Sequence, residues 1–468
     1  MAIQNKVQLI TYADSLGVNL PELHYVLRKH FSKAIHGVHI LPFYPSSSDK
    51  GFAPLTYDEV DPRFGTWEDI EKIGQDFDLT IDFMINHISR QSMYFQDYSE
   101  NGAESEYADM FLDGAVEEED LAKIYTRKPS PPYQEFDHPD GSRERIWSTF
   151  DTEQIDLNYS SAKTREVVRN MLIKLARHNP KMIRLDAIAY ATKQLGTSCF
   201  FLEPQIWELL AWCKDYTNVF NVELLPEVHE HHSYQQKLAD KGYWCYDFSL
   251  PMLVLHALHS GTAKPLKAWL KICPRKQITT LDTHDGIGVV DVDGLLTKDE
   301  IAKTLKTLYK KGSNVKKAYS GPDYQNLDVY QLNCTYYSAL GCNDDAYIAA
   351  RAIQFFTPGV PQVYYVGLLA GENDIELLER TKLGRNINRH SYTLEEISEE
   401  VKRPVVERLL NLIEFRNSHP AFDGEFHLLE SEEDVLVIEW VNGEHRATLD
   451  LNVKEYNMEI EWTQHRTN

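Results

Sequence analysis

Side chains suited to nucleophilic and acid–base chemistry close four short apolar runs of the chain. They occur as four pairs: Asn86 with His87, Arg184 with Asp186, Glu227 with His229, and His284 with Asp285. Each pair alone has a structural explanation, because an aspartate that ends a strand is usually a cap and a nearby arginine its ion-pair partner. Together, three carboxylates with an arginine and histidines suit cleavage of a glycosidic bond. One carboxylate attacks the sugar, one donates a proton, and one stabilises the positive transition state.

Metal chemistry is the alternative for the stretch Glu227-Val-His229-Glu230-His231-His232, since clustered histidine and glutamate are metal ligands. The stretch lacks the i, i+4 histidine spacing of a helical zinc site. A metal-dependent hydrolase could use His229 and His231, but the first apolar run ends Ile-Thr-Tyr and offers no further ligand. We therefore expect no metal site and no cofactor, and we expect His231 and His232 to lie in a solvated loop.

These residues need a scaffold, and the chain alternates strand-like and helix-like patterns. Eight apolar runs end near residues 11, 41, 86, 186, 227, 248, 284 and 366. Helical stripes lie between most of them; in one, apolar pairs recur every four residues from Val167 to Ala176. Repeated strand–helix units imply a parallel sheet, and eight of them predict an α/β fold with a closed (β/α)8 TIM barrel. In such a barrel the catalytic residues lie at the carboxyl ends of the strands.

Two gaps between strands are too long for simple connections and predict inserted domains. They run from residue 86 to 186 and from 284 to 366. Beyond residue 420, alternating runs around Asn442-Gly443 predict a small antiparallel β domain. The predicted domains are the catalytic barrel at 1–87, 161–285 and 346–420, domain B at 88–160, domain B′ at 286–345, and the C-terminal β domain at 421–468.

The composition excludes several classes of function. The 468 residues carry 48 Lys and Arg against 71 Asp and Glu, a formal net charge of −23. This charge disfavours binding to nucleic acid or to an anionic membrane surface. No window approaches the ~18 apolar residues of a membrane span, and the six scattered cysteines predict buried reduced thiols. We expect a cytoplasmic enzyme with small-molecule substrates, as a monomer or a homodimer.

Four segments of the chain also match a known pattern in their order and at the predicted strand ends. They are Asp82-Phe-Met-Ile-Asn86-His87, Arg184-Leu-Asp186-Ala187, Glu227-Val-His229 and Thr283-His284-Asp285. With Gln154-Ile-Asp156-Leu-Asn158 they resemble the signature segments of the α-amylase superfamily, glycoside hydrolase family 13. Stretches such as ITYADSLG, YDFSLPM, LDTHDGIGV, NLDVYQLN and PQVYYVGLLAG are similar to one family within it, the sucrose phosphorylases, over nearly the whole chain.

The resemblance implies a role for each site residue. Asp186 would be the nucleophile, Glu227 the general acid/base and Asp285 the transition-state stabiliser. The implied contacts to the glucosyl unit are Asp49, His87, Arg184, His284 and Arg389, with Phe52 and Tyr190 as hydrophobic walls. Arg184 would favour the ionised nucleophile, whereas Glu227 must carry a proton when the donor binds. Retention of configuration requires the two carboxyl groups to lie ~5–5.5 Å apart.

The resemblance also implies phosphate as the second substrate, which needs hydrogen-bond donors and positive charge. The implied acceptor residues are Arg127 or Lys128 in one loop, and His229, Leu327, Asp328, Tyr330 and Gln331. Each segment has a structural alternative. The loop with Arg127 and Lys128 could be a solvated basic loop, and the segment with Tyr330 and Gln331 could be a turn that packs against another domain. A mobile loop could present Asp328 to fructose and Tyr330 to phosphate in turn.

The implied reaction is transfer of a glucosyl unit from sucrose to phosphate, giving α-glucose 1-phosphate and fructose. Relatives that cleave phosphosucrose tend to carry histidine where Tyr330 stands, so Tyr330 favours plain sucrose. Within the fold, a sucrose 6′-phosphate phosphorylase and a sucrose hydrolase or transglucosylase remain alternatives. A sugar-binding protein without activity is the alternative from another class, and the presence of all three carboxylates disfavours it.

Overall fold

The computed structural model describes residues 3–126, 128, 130–139, 141–313 and 330–463, without the side chain of Asp49. Eight strands of this part form one sheet: β1 Gln8–Thr11, β2 Gly37–Ile40, β3 Asp78–Met84, β4 Met182–Asp186, β5 Glu223–Pro226, β6 Cys245–Asp247, β7 Gln277–Thr279 and β8 Val360–Tyr364. Their order in the sheet is β6-β7-β8-β1-β2-β3-β4-β5. Strands that are consecutive in sequence lie side by side, except β5 and β6 at the two ends of the order, and β8 lies beside β1. The sheet is thus a parallel, near-closed barrel. The predicted fold class is confirmed.

The helices are, in chain order, α1 Leu20–Val26, α2 Trp67–Asp76, α3 Met93–Asn101, α4 Glu118–Leu121, α5 Ala162–Arg177, α6 Gln205–Thr217, α7 Ser233–Asp240, α8 Leu250–Ser260, α9 Lys264–Ile272, α10 Lys298–Lys310, α11 Tyr336–Ala339, α12 Asp344–Phe356, α13 Tyr365–Leu368, α14 Ile375–Thr381, α15 Leu394–Glu400 and α16 Pro404–Ser418. Helix α5 buries the predicted apolar pairs between Val167 and Ala176. Helix α2 begins at a capping box, in which Oδ2 of Asp69 accepts from the backbone N–H of Thr66 at 3.0 Å.

The seventh strand is shorter than the sequence predicts, because β7 ends at Thr279 rather than near residue 284. The hydroxyl of Thr280 donates to the backbone C=O of Asp282 at 2.7 Å, which turns the chain out of the sheet. The buried carboxylate of Asp282 lies 2.7 Å from the guanidinium of Arg351. These contacts carry the following residues, His284 among them, beyond the strand on an irregular segment.

The carboxyl-terminal sheet is antiparallel, in the order β9 Glu425–Leu429, β10 Val435–Asn442, β11 His445–Asn452 and β12 Met458–Trp462. The predicted hairpin is present, with Asn442 paired to His445 around a two-residue turn that begins at Gly443. Gly443 has a φ of +59°, which a tight hairpin turn requires. Strand β9 was not predicted, because its side chains alternate only between partly buried and exposed positions.

The chain divides into two compact units, of which the first contains Ile40–Val228 and the second contains the chain from His229 onward with most of the amino-terminal segment. Strands β3, β4 and β5 belong to the first unit. The boundaries of the barrel, domain B, domain B′ and the C-terminal domain stay predictions. Within the described ranges, no helix is both long and apolar enough to cross a membrane.

The six cysteines are unpaired and five of them are buried, but Cys342 is exposed. The expectation of buried thiols is therefore wrong for Cys342. It follows helix α11, where Cys342 has a φ of +55° in the turn before α12.

The carboxyl group of Asp247 is fully buried at the end of β6. It accepts hydrogen bonds from the indole N–H of Trp269 at 3.0 Å and from the backbone N–H of Leu250 at 3.0 Å. Desolvation outweighs these donors and raises the pKa of Asp247 from 3.8 to about 6. The folded chain therefore binds this proton more tightly than the unfolded chain.

We predict that Asp247 makes the protein less stable as the pH rises. Because the folded pKa is raised, the stabilising contribution is complete below the unfolded pKa and is lost as the pH rises through about 6. Asp247→Asn removes this titration. The free energy of unfolding of the variant, minus that of the wild-type protein, should therefore rise by about 2 kcal/mol between pH 4.5 and 7.5. Denaturant unfolding of both proteins at the two pH values measures the change. A stability difference that does not vary with pH would contradict the prediction.

Candidate active site

In the first unit, neighbouring strands β3 and β4 bring an arginine and two aspartates together. Asp82 is in register with Arg184, and Met84 with Asp186. Side chains two positions apart on a strand share one face, so Arg184 and Asp186 point the same way. The guanidinium of Arg184 contacts the buried carboxylate of Asp82, and its Nη1 lies 2.9 Å from Oδ1 of Asp186. Asp82 was not predicted as a site residue.

Glu227 directly follows β5 and lies beside the end of β4. Its backbone N–H donates to the C=O of Leu185 at 3.0 Å, which extends the strand ladder by one residue. Its Oε2 accepts from the backbone N–H of Ala187 at 3.0 Å, and its Oε1 lies 3.9 Å from Nη2 of Arg184. Ala187 has a φ of +54°, a left-handed conformation that is uncommon for alanine and that directs this N–H towards Glu227. Three carboxyl groups, those of Asp82, Asp186 and Glu227, therefore lie around one guanidinium.

Phe52 and His87 form one wall of this half of the site. The backbone C=O of Phe52 accepts from Nε2 of His87 at 2.9 Å and from the amide of Gln154 at 2.9 Å. The side-chain amide of Asn86 lies 3.3 Å from Nδ1 of His87. These two contacts of His87 fit a neutral ring with its proton on Nε2. The guanidinium of Arg184 lies 5.8 Å from the Phe52 ring.

A row of aromatic rings continues from His87. The Phe150 ring lies 5.7 Å from His87 and 5.0 Å from Tyr190, centre to centre. Phe200 lies 4.9 Å from Tyr190 and 4.8 Å from Tyr125. Of this row, the resemblance implies only His87 and Tyr190. The other three rings were missed, because single aromatic residues carry no signal of their own in the sequence. The row offers flat apolar surfaces of the kind that pack against a sugar ring.

Behind these residues a buried lysine joins three segments of the first unit. Nζ of Lys193 lies 2.9 Å from Oδ2 of Asp156, 2.9 Å from Oδ1 of Asn86 and 2.6 Å from the backbone C=O of Tyr190. The side chain of Lys193 is 5% exposed and that of Asp156 is 0% exposed. The ammonium thus fixes the turn after β4 to the end of β3 and to the short strand Gln154–Asp156.

Of the two basic candidates for phosphate, Lys128 is described and Arg127 lies outside the described residues. The half-buried amine of Lys128 donates to the backbone C=O of Ser148 at 2.8 Å. Burial lowers the pKa of Lys128, although the carboxylates of Asp156 and Asp151 oppose this shift. One of the hydrogen-bond donors of Lys128 is therefore already used within the protein.

In the second unit, an arginine-rich segment holds His284 and Asp285. Oδ1 of Asp285 lies 3.0 Å from Nη1 of Arg385 and 3.9 Å from Nη2 of Arg389. Nε of Arg389 donates to the backbone C=O of His284 at 2.9 Å, and the amide of Asn388 donates to that of Asp285 at 3.1 Å. Three of the predicted site residues thus lie together: His284, Asp285 and Arg389. Arg385 and Asn388 were missed, because their segment carries no strand or helix pattern.

A second cluster in this unit gathers His229, Tyr330 and Gln331. The His229 ring stacks on Phe248 with centres 4.3 Å apart and planes 14° apart. The hydroxyl of Tyr330 donates to the backbone C=O of His229. Gln331, the next residue in the chain, is buried. Nδ1 of His229 lies 2.9 Å from Oδ2 of Asp291, a carboxylate with no exposed surface that the sequence did not single out.

Some predicted residues fall outside this description. Leu327 and Asp328 lie outside the described residues, as does the side chain of Asp49. The rings of His231 and His232 contact each other at 4.1 Å, and His231 pairs through Nδ1 with the hydroxyl of Ser233. No group of three His, Cys, Asp or Glu side chains in the described part of the chain is arranged to hold a metal ion.

Comparison with known proteins gives consistent matches over this chain. The family model for the α-amylase catalytic domain matches residues 30–248. A sucrose phosphorylase of Streptococcus mutans serotype c is 51% identical, covering 98% of each chain. A glucosylglycerol phosphorylase of Marinobacter adhaerens is 46% identical, covering 97% of this chain and 96% of the relative. The crystal structure of a sucrose 6F-phosphate phosphorylase from Thermoanaerobacter thermosaccharolyticum has a TM-score of 0.95 at 46% identity, covering 100% of this chain and 98% of that one.

We predict that Lys193 stabilises the first unit through its charge. Lys193→Met leaves the buried carboxylate of Asp156 without its cation, which should cost about 3–5 kcal/mol of unfolding free energy. The matched control is the double variant Lys193→Met/Asp156→Asn, which removes both charges and should recover part of that loss. Urea denaturation of the three proteins measures both effects. A loss below about 1 kcal/mol in the single variant, as for an exposed pair, would contradict the prediction.

Proposed function

The chain belongs to the sucrose phosphorylase family within glycoside hydrolase family 13 of the α-amylase superfamily, and on that premise we propose that it transfers the glucosyl unit of sucrose to phosphate. The products are fructose and α-glucose 1-phosphate. At the level of the family, the chain is a disaccharide phosphorylase, an enzyme that transfers a hexosyl unit to phosphate. The proposed reaction takes place in the cytoplasm and uses neither a metal nor a cofactor.

The observation that carries this proposal is the position of Arg184 between two carboxyl groups on neighbouring strands. A guanidinium 2.9 Å from Asp186 stabilises the negative charge that a carboxylate nucleophile needs. Glu227 lies at the greater distance of 3.9 Å from the same guanidinium. The two carboxyl groups therefore have different environments, which suits one nucleophile and one proton donor.

The first half of the proposed reaction forms a glucosyl-enzyme. The carboxylate of Asp186 attacks the anomeric carbon of the glucosyl unit, and Glu227 gives its proton to the departing fructosyl oxygen. The bond between the glucosyl unit and fructose breaks as the ester bond to Asp186 forms. Fructose leaves with the proton of Glu227, and the anomeric configuration is inverted once.

The second half of the proposed reaction returns the enzyme to its starting state. Glu227, now a carboxylate, takes a proton from phosphate while a phosphate oxygen attacks the anomeric carbon from the vacated side. The ester bond to Asp186 breaks and its carboxylate is restored. The second inversion gives net retention and α-glucose 1-phosphate.

Asp285 is proposed as the carboxylate that stabilises positive charge on the sugar in both transition states. Its Oδ1 lies 3.0 Å from Arg385, and its backbone C=O accepts from Asn388, so the carboxylate is held in one orientation. A fixed charge does not have to reorganise when the sugar becomes positive, which is the condition for effective electrostatic stabilisation.

For phosphate, we propose the cluster of His229, Tyr330 and Gln331 as acceptor site in preference to Lys128. The cluster combines the imidazole of His229, the amide of Gln331 and the hydroxyl of Tyr330. The imidazole and the amide have protons to donate, whereas the hydroxyl already donates its proton to the backbone C=O of His229. The amine of Lys128 is half-buried and already donates to the backbone C=O of Ser148. Arg127 and Asp328 remain proposed acceptor residues on the strength of the resemblance.

Two related substrates are the alternatives, because the relatives at similar identity include a glucosylglycerol phosphorylase and a sucrose 6F-phosphate phosphorylase. Tyr330 supports sucrose, since an uncharged phenol adds no positive charge for a sugar phosphate. A sucrose hydrolase would use the same two carboxyl groups with water in place of phosphate.

We predict that the kcat/KM for sucrose exceeds that for sucrose 6′-phosphate and for glucosylglycerol by at least tenfold. That ratio corresponds to about 1.4 kcal/mol of transition-state binding. Initial rates of α-glucose 1-phosphate formation at saturating inorganic phosphate measure all three values. A preference for either other donor would overturn the choice of sucrose and leave the mechanism unchanged.

Two controls make this measurement decisive. Omitting phosphate should abolish α-glucose 1-phosphate and slow the release of fructose, whereas equal fructose release without phosphate would identify a hydrolase. Tyr330→His introduces an ionisable donor and should narrow the preference for sucrose over its 6′-phosphate. Tyr330→Phe removes only the hydroxyl and should not favour the phosphorylated sugar.

A further inference from the structure

We propose that Asp291 is a positioning residue that holds His229 as a hydrogen-bond donor to phosphate. This inference rests on the proposed function, because it assigns the residue that orients one part of the acceptor site. The carboxylate of Asp291 has no exposed surface, and its Oδ2 lies 2.9 Å from Nδ1 of His229. Since the carboxylate lies on the Nδ1 side of the ring, Nε2 lies on the side away from the carboxylate.

The local backbone is built to allow this contact. Gly288 lies in a short strand, Ile287–Gly288, that pairs antiparallel with Gln331–Leu332. A Cβ at Gly288 would lie 1.9 Å from Oδ2 of Asp291 and 2.4 Å from Cε1 of His229. No side chain fits at such distances, so glycine is required at position 288 for the carboxylate and the imidazole to meet.

Two further contacts fix the plane and the position of the imidazole. The ring stacks on Phe248 at 4.3 Å, and the Tyr330 ring lies 5.3 Å away on a tilted plane. The hydroxyl of Tyr330 also donates to the backbone C=O of His229. The side chain of His229 is 3% exposed, so its orientation is set by these neighbours rather than by solvent.

The charge of Asp291 gives the pair its chemical consequence. A carboxylate facing Nδ1 keeps a proton on that nitrogen and favours the doubly protonated imidazolium. Only in the imidazolium does Nε2 also carry a proton that it can donate to an anion. A charge-assisted hydrogen bond of this kind is stronger than one between neutral groups. Asp291 would thus act on phosphate through His229 without touching phosphate.

The test is the Asp291→Asn variant, which keeps the size of the side chain and removes its charge. The KM for phosphate in α-glucose 1-phosphate synthesis should rise at least tenfold. The KM for sucrose in the absence of phosphate should change less than twofold, because the fructosyl unit of sucrose is neutral and gains little from a positive charge on His229. Asp293→Asn is the matched control, since it makes the same change of charge at an exposed position of the same segment. It should leave both KM values unchanged.

A double-mutant cycle separates positioning from a general structural role. In a His229→Ala background, Asp291→Asn should raise the KM for phosphate no further, because the group on which it acts is gone. Independent, additive losses in the double variant would overturn the inference. So would a single Asp291→Asn variant with an unchanged KM for phosphate, or with equal losses for sucrose and phosphate.

The proposed function and this inference can fail separately. An unchanged enzyme that makes no α-glucose 1-phosphate from any of the three donors would overturn both. Phosphate-dependent turnover with no selective effect of Asp291→Asn would overturn the inference alone.

Should Asp291→Asn fail to fold, Phe248→Leu tests the same geometry, because it removes the stacked ring and leaves the carboxylate in place. A selective rise in the KM for phosphate supports the inference, and its absence overturns it.

Discussion

The buried guanidinium of Arg184 is the interaction on which the candidate active site of the first unit depends. A buried charge is tolerated only when it is paired, and Arg184 is paired with Asp82 on the neighbouring strand. The same guanidinium also lies 2.9 Å from the carboxylate of Asp186 and 3.9 Å from that of Glu227. The ion pair with Asp82 thus fixes a cation near two further carboxyl groups, those of Asp186 and Glu227. Because these two groups have different environments, they can be proposed for different roles.

The parallel barrel supplies this arrangement without special loops. The register of β3 with β4 sets Asp82 opposite Arg184, and the ladder that continues past β5 sets Glu227 beside the end of β4. Other residues are held by long-range polar contacts instead of strands. Arg385 holds Asp285 in this way, and Asp291 holds His229. Strand geometry therefore positions Asp186 and Glu227, the proposed nucleophile and proton donor. Irregular segments position the residues that are proposed to contact the sugar and the acceptor.

Much of this could be predicted from the sequence, and the exceptions have a common physical cause. Strand ends were predictable because apolar runs and period-two alternation are local properties of the chain. Lys193 was not predictable, because its contact with Asn86 joins residues 107 positions apart and follows no repeated spacing. The early end of β7 has the same cause, since Asp282 is held by Arg351 from 69 positions away. Local patterns predict elements, but the partners of single polar side chains are set by the folded chain.

The most direct test of the account is where the glucosyl unit becomes attached. The variant Glu227→Gln lacks the proposed proton donor. On the proposed mechanism it can still form the glucosyl-enzyme from α-glucosyl fluoride, whose leaving group needs little protonation. We predict that mass spectrometry of the digested protein, incubated without phosphate, finds one glucosyl unit on the peptide that contains Asp186. The same peptide should be unmodified when Asp186→Asn is added. A glucosyl unit on another residue, or turnover of the fluoride with no bound sugar in either protein, would contradict the roles assigned to Asp186 and Glu227.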